Sequence, residues 1–175
     1  MKQDNSYELP YSGLKLGVHE FNWLIDQAFL EDHGAEGFKQ VQLNVALEME
    51  KKERLLDLWF TIEGSLTTAC DRCGEDVEIE MDQENHLVVR LSEQTDLTDD
   101  EVVFIDESEH SFDVRQFIYE FIMVGLPARC VHPDGGCDPA VEQYLEEIDL
   151  EEDNKKEDEI KAIDPRWEAL KKLKN

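Results

Sequence analysis

Basic residues are scarce in this chain. Its 175 residues include 17 Lys and Arg against 43 Asp and Glu, which gives a formal net charge of −26 at pH 7. Binding to nucleic acid depends mainly on neutralising phosphates with Lys and Arg, so this balance excludes a protein that holds nucleic acid through a general basic surface. The charge either serves solubility alone or favours a basic partner, whose encounter it would accelerate.

Long apolar runs are also missing. No stretch approaches the roughly 18 residues needed to cross a bilayer, and residues 1–10 have neither the basic nor the apolar region of a signal peptide. We therefore expect a soluble, cytoplasmic protein with no membrane contact. Cysteines number only four, and in the cytoplasm they are expected to be thiols or metal ligands rather than disulfides.

Alternation of apolar and polar residues predicts a sheet. The pattern is clearest over residues 41–49 and 56–62, which are predicted to form a hairpin around a polar turn at 50–54. Shorter strands are predicted at 14–18, 77–81, 87–91 and 102–105.

Apolar residues at helical spacing predict three helices in the same region. The first covers residues 21–34 and ends at a glycine. The second starts at a Ser111 or Asp113 cap and runs to Val124, before Gly125 and Pro127. The third follows Asp138, with proline at its favoured first position, and its apolar stripe extends to residue 148.

These elements predict an α+β fold: an antiparallel, partly barrel-like sheet with flanking helices and a zinc-knuckle-like CxxC turn. Residues 1–9 are predicted to be frayed and residues 10–150 to form a single domain. The stretch from 142 to 159 holds ten acidic residues, and we expect 151–163 to be an acidic flexible linker. Residues 164–175 are predicted to form a short amphipathic helix.

The cysteines form the one chemical constellation in the sequence. Cys70 and Cys73 have the C-x2-C spacing of a zinc knuckle, in which a tight turn points two thiolates at one ion. Cys130 and Cys137 lie in a loop rich in turn formers, with His132 between them as an alternative ligand. The sequence therefore predicts a structural zinc site of Cys70, Cys73, Cys130 and Cys137, with four reduced thiols that bind nothing as the plainer alternative. A thioredoxin-type redox pair is disfavoured because the acid after Cys70 opposes thiolate formation.

Signs of catalysis are missing. The sequence contains no phosphate-binding loop, nucleophile elbow or H-E-x-x-H motif. The remaining histidines are scattered, and in so acidic a chain most paired carboxylates are solvated surface. We expect no enzymatic activity.

The last fifteen residues reverse the charge of the chain. The predicted helix there carries basic and aromatic side chains that are candidates for partner binding: Arg166, Trp167, Leu170, Lys171 and Leu173. Such a helix either docks onto the acidic body of the same chain or serves as a recognition helix that contacts RNA or an acidic patch of a partner.

Three motifs in order resemble the YceD family of large-subunit ribosomal RNA accumulation proteins. They are the Cys-Asp-Arg-Cys-Gly run at 70–74, the Leu-Pro…His…Cys run from 126 to 137, and the closing Asp-Pro-Arg-Trp run with its leucines from 164 to 173. Cys70, Cys73, His132 and Cys137 match positions of the family pattern. Cys130 departs from it, since proline is common there, and the fourth ligand is thus either Cys130 or His132.

The resemblance implies a non-enzymatic role in 23S rRNA accumulation and large-subunit assembly, with no catalytic residues to carry over. The family's gene commonly neighbours that of a small zinc-ribbon ribosomal protein, and such a basic partner, or a pre-ribosomal particle, would suit the acidic charge. The alternative is a zinc- or thiol-based redox-controlled chaperone or adaptor. Direct RNA binding is the weaker reading, given the charge.

Overall fold

The computed structural model describes residues 7–92, 102–145 and 147–148. These residues divide into two compact units, one up to Cys130 and one from Val131 onward. The described residues of the first unit form seven strands, a short 3-10 helix at Tyr11–Gly13 and two α-helices. In chain order the elements are β1 Glu8–Leu9, β2 Gly17–Ile25, α1 Gln27–Asp32, β3 Lys39–Lys51, β4 Leu55–Ala69, β5 Asp76–Leu91, β6 Val102–Ile105, β7 Phe112–Asp113 and α2 Arg115–Gly125.

Five strands form an open sheet in the order β2-β3-β4-β5-β6. Neighbouring strands are antiparallel except β5 and β6, which are parallel. The α+β class is confirmed, but the prediction of a partly barrel-like sheet is wrong because β2 and β6 are edge strands that do not pair with each other. The sheet does not close on itself, and its apolar face is covered by helices. Both α1 and α2 contribute side chains to the hydrophobic core that packs on this face.

The long hairpin of β3 and β4 confirms the strongest prediction from alternation. The core-facing residues of β3 are Val41, Leu43, Val45, Leu47 and Met49, and all are at most 5% exposed. The two strands predicted at 77–81 and 87–91 belong instead to one strand, β5, which pairs with β4 along its length. Polar residues such as Gln83 and Asn85 on the core side of β5 broke the apolar pattern between them.

The helix predicted over residues 21–34 is wrong in its first half. Residues up to Ile25 continue β2, which pairs with β3 from Gly17 opposite Lys51 to Ile25 opposite Leu43. Phe21, Trp23 and Ile25 also fit a period of two, and the ladder with β3 selects that period over the helical one. The helix α1 starts only after Asp26, whose carboxylate accepts a hydrogen bond from the Phe29 amide at 3.2 Å.

Helix α2 packs across the sheet much as the sequence predicts. Ile118 and Ile122 are fully buried, and the Phe121 ring meets the Phe60 ring of β4 edge-on at 5.2 Å. The Gln83 side-chain amide of β5 donates to the Phe121 carbonyl at 2.9 Å. Neither predicted cap is the N-cap, which is Val114, although the Asp113 carboxylate accepts a hydrogen bond from the first helical amide.

A second sheet of two strands pairs β1 with β7, the strand that directly precedes α2. Glu8–Leu9, within the segment expected to be frayed, pairs with Phe112–Asp113, and Leu9 is fully buried.

In the second unit, residues 139–145 are helical, as predicted. The Asp138 carboxylate accepts a hydrogen bond from the Ala140 amide at 2.8 Å and so caps this helix. The predicted linker at 151–163 and terminal helix at 164–175 lie outside the described residues. None of the described helices is long and apolar enough to cross a membrane.

A glycine in β4 accommodates an irregularity in the β3–β4 ladder. Gly64 has φ +139° opposite Leu43, next to a register shift between Lys39 and Gln42. A Cβ at this position would overlap the Gln42 carbonyl oxygen. We expect Gly64→Ala to lower the free energy of unfolding by about 1–3 kcal/mol, because it adds backbone strain and a clash with main chain.

Urea unfolding followed by circular dichroism measures this loss, with Gly13→Ala as the matched control. Gly13 has open space around its Cβ position and no positive φ, so its change should stay within about 0.5 kcal/mol. Equal losses for the two variants would contradict the assignment of a steric role to Gly64.

Candidate metal centre

The turn between β4 and β5 holds the first cysteine pair. Its hydrogen bonds form a closed loop, since the Cys70 amide donates to the Glu75 carbonyl at 2.7 Å and the Gly74 amide donates to the Cys70 carbonyl at 2.9 Å. The Arg72 amide also points at the Cys70 Sγ, at 3.4 Å. Gly74 has φ +79°, which a residue with a side chain rarely adopts. The long strands thus present Cys70 and Cys73 on a fixed turn, the knuckle of residues 70–73.

Cys130 contacts this knuckle through its main chain. The Asp71 amide donates to the Cys130 carbonyl at 2.8 Å, and the Cys130 amide donates to the Asp71 carboxylate at 2.7 Å. Its thiol lies 3.9 Å from the Pro127 carbonyl. Burial raises the pKa of the Cys130 thiol, and the negative charges of Asp71 and Cys70 raise it further. The paired hydrogen bonds hold the Cys130 backbone against the knuckle.

The loop after Cys130 holds the second pair of ligands. The Gly136 amide donates to the Pro133 carbonyl at 2.8 Å, which turns the chain back between His132 and Cys137. The Cys137 Sγ lies 3.7 Å from Nδ1 of His132. Cys137 is buried, and His132 is half-buried.

One ligand atom from each of Cys70, Cys73, His132 and Cys137 lies within 4.8 Å of the other three. A tetrahedral zinc site with Zn–S bonds of about 2.3 Å has ligand–ligand edges of about 3.8 Å, so this group is close to the size that such an ion needs. Three thiols and one imidazole are also a donor set typical of structural zinc. The group contains the alternative ligand of the sequence analysis, His132, and does not include the Cys130 thiol.

Four protein ligands would leave no open position on a bound ion. Catalytic zinc keeps one position for water or substrate, whereas structural zinc is enclosed by protein. No disulfide joins the four cysteines, and a thiol binds zinc once it has lost its proton. The arrangement is thus suited to holding chain segments in place.

The outward side of the sheet carries a feature that the sequence analysis missed. Trp59 is 49% exposed, and its ring stacks on that of His86 in β5 with centroids 4.0 Å apart. His86 Nε2 in turn contacts the Asp57 carboxylate. The hydrogen bond from His86, followed by that from Lys52, holds the pKa of Asp57 below its usual value. The sequence signal that could have revealed this feature is a tryptophan at a position of β4 where the alternation predicts an outward, polar residue.

The predicted partner-binding residues of the terminal helix are not among those described. They are Arg166, Trp167, Leu170, Lys171 and Leu173. Their role remains a prediction from the sequence.

Comparison with known protein families gives a match that covers most of the chain. Residues 58–174 match the family described as "Large ribosomal RNA subunit accumulation protein YceD". The chain belongs to the YceD family. The matched region begins in β4 and includes the knuckle, the loop with His132 and Cys137, and α2.

No curated protein and no solved structure gives a significant match. Membership of the YceD family confirms the resemblance that the three motifs indicated. The description of the family associates it with accumulation of the RNA of the large ribosomal subunit.

Proposed function

We propose that this YceD-family protein is a non-enzymatic factor that supports accumulation of 23S rRNA and assembly of the large ribosomal subunit. The observation that carries the proposal is the family match, which extends over residues 58–174. A protein with a net charge of −26 is poorly suited to hold rRNA by charge, because it would repel the phosphates. It is suited to a basic ribosomal protein, or to a pre-ribosomal particle that exposes one.

The metal centre has a structural part in this proposal. A zinc ion bound by Cys70, Cys73, His132 and Cys137 would fix the loop of residues 132–137 to the knuckle. The sulfur and nitrogen ligand atoms and their compact spacing support zinc over the harder divalent cations, which prefer oxygen ligands. The redox-controlled chaperone stays a prediction from the sequence, since no contact among the described residues favours it over a permanent zinc site.

Removing the protein from its native cells tests the proposed function. The ratio of mature 23S to 16S rRNA should fall, and sucrose gradients should show fewer free large subunits relative to small ones. Expression of the full chain should restore both. Loss of a large-subunit factor leaves only the large-subunit rRNA unassembled. That rRNA is then exposed to nucleases, whereas 16S rRNA is not affected.

The specific comparison is between the two rRNAs in the same extract. A loss of both rRNAs in equal proportion would indicate slower growth instead of a large-subunit defect. An unchanged ratio in cells that lack the protein would overturn the proposal.

A further inference from the structure

The helices cover one side of the sheet, and the other side carries exposed residues. Alternate residues of β3 and β4 point into the core under α1 and α2, and the residues between them point outward. The outer face is the central part of that second side, formed by β2 to β5. The outward-pointing residues of this face include Glu20, Glu48, Trp59, Thr61, Glu84 and His86.

A groove of about 320 Å³ runs over the outer face. Three carboxylates, Glu20, Glu48 and Glu84, line it, and the lining includes no Lys or Arg. All three side chains are exposed. Within the described part of the chain, none of the three forms an ion pair with a Lys or Arg.

The strand register adds like-charge repulsion to this groove. Glu20 of β2 is directly opposite Glu48 of β3, and side chains in such pairs have Cβ atoms only about 5 Å apart. Like charges in this position destabilise a sheet. A cation bound between them would relieve the repulsion, so the arrangement favours a positively charged ligand.

An aromatic ring stands at the centre of the same surface. Trp59 is the cross-strand neighbour of Glu48 on one side and of His86 on the other. His86 stacks on its ring at 4.0 Å, and Trp59 is one of the residues that line the groove. Tryptophan is the side chain that best binds Lys and Arg through the face of its ring. A half-exposed indole among carboxylates is therefore suited to a cationic side chain.

We propose that this groove binds a lysine- and arginine-rich segment of a partner protein, with one cationic side chain against the Trp59 indole and others paired with the three groove carboxylates. This inference rests on the proposed function and specifies it, because it names the surface that would receive a basic ribosomal protein. Charge complementarity selects the occupant. RNA is disfavoured because its phosphates would meet the same carboxylates.

Titration of the purified full chain with a peptide of alternating arginine and lysine tests the proposal. At about 0.15 M salt, where charges beyond roughly 8 Å are screened, nuclear magnetic resonance should show the Trp59 indole signal shifting. The signal of Trp23, which is buried in the core, should stay in place. Trp59→Ala should weaken binding about tenfold, through loss of the contact between cation and ring.

Matched charge variants separate this groove from the general acidity of the chain. The triple variant Glu20→Gln, Glu48→Gln and Glu84→Gln should weaken binding at least about tenfold, as expected for several lost charge-assisted contacts. The control replaces Glu31, Glu36 and Glu53 by Gln, which removes the same charge at exposed positions away from the groove. Equal weakening by the two triple variants would overturn the proposal.

Two further outcomes would also overturn it. The first is a shift of the Trp59 signal on charge reversal of Lys171, Lys172 and Lys174 without peptide, which would make the chain's own terminal segment the occupant. The second is tighter binding of an RNA oligonucleotide than of the peptide at the Trp59 signal.

Complementation in cells distinguishes failure of this inference from failure of the proposed function. If the parent chain restores 23S rRNA and the Trp59→Ala chain does not, the groove serves that function. If both chains restore it equally, the function stands and the groove is rejected. If 23S rRNA is unchanged in cells that lack the protein, the proposed function fails, and the peptide titration still decides the groove.

Discussion

Cys70→Ser is expected to abolish stoichiometric zinc binding and to cause the largest loss of stability of any change considered. Cys70 is buried and belongs to the group of four ligands. Structural zinc contributes roughly 10 kcal/mol or more of binding free energy in small domains, and loss of one thiolate removes much of it. We expect the free energy of unfolding to fall by more than about 5 kcal/mol. Mass spectrometry of metals and urea unfolding of reduced protein measure the two effects.

Cys130→Ser is the matched control for this prediction. Cys130 holds the knuckle through its backbone amide and carbonyl, which serine retains, and its thiol is outside the ligand group. Its variant should keep one zinc per chain and lose less than about 1 kcal/mol. Full zinc content in Cys70→Ser, or loss of zinc from Cys130→Ser, would contradict the assigned ligand set.

Phe60→Ala is expected to have the second largest effect. The Phe60 side chain is 1% exposed in the middle of β4 and meets Phe121 of α2. Its removal leaves a cavity between the sheet and the helix, which costs about 3–5 kcal/mol in comparable cores. Urea unfolding of the zinc-loaded protein measures the change.

The neighbouring residue Trp59 provides the control, since it lies on the same strand and points to the opposite side of the sheet. Its ring is half-exposed and is stacked on His86, so Trp59→Ala should cost only about 1 kcal/mol. Similar losses for the two variants would mean that the outer face is covered and that the two sides of the sheet have been misassigned.

The parts of the fold that depend on local pattern were predictable. Over Val41–Met49 an apolar residue occupies every second position, and the same holds over Leu56–Ile62, where Trp59 is an additional apolar residue. This period of two is typical of a strand with one buried face. The segment Phe21–Ile25 fits both a strand and a helix, because aromatic and aliphatic residues there recur at both spacings. Pairing with β3 makes this segment a strand. That long-range contact cannot be read from the residues of the segment alone.

The candidate metal centre was predictable in its residue types but not in its final ligand. The spacing of Cys70 and Cys73 indicated the knuckle, whereas the choice between Cys130 and His132 depends on the two hydrogen bonds between Cys130 and Asp71, which are 59 residues apart in sequence. The groove around Trp59 was not predictable in the same way. It requires the register that places Glu20 of β2 and Glu84 of β5 on one surface, across two intervening strands.

Affinity purification of the tagged full chain from its native cells, under gentle conditions, tests the central claim most directly. The recovered RNA and proteins are quantified against those from untagged cells. The account predicts enrichment of a basic large-subunit protein, with or without 23S precursor, and no enrichment of small-subunit proteins or 16S rRNA. Equal recovery of components from both subunits, or recovery of neither, would contradict a role in assembly of the large subunit.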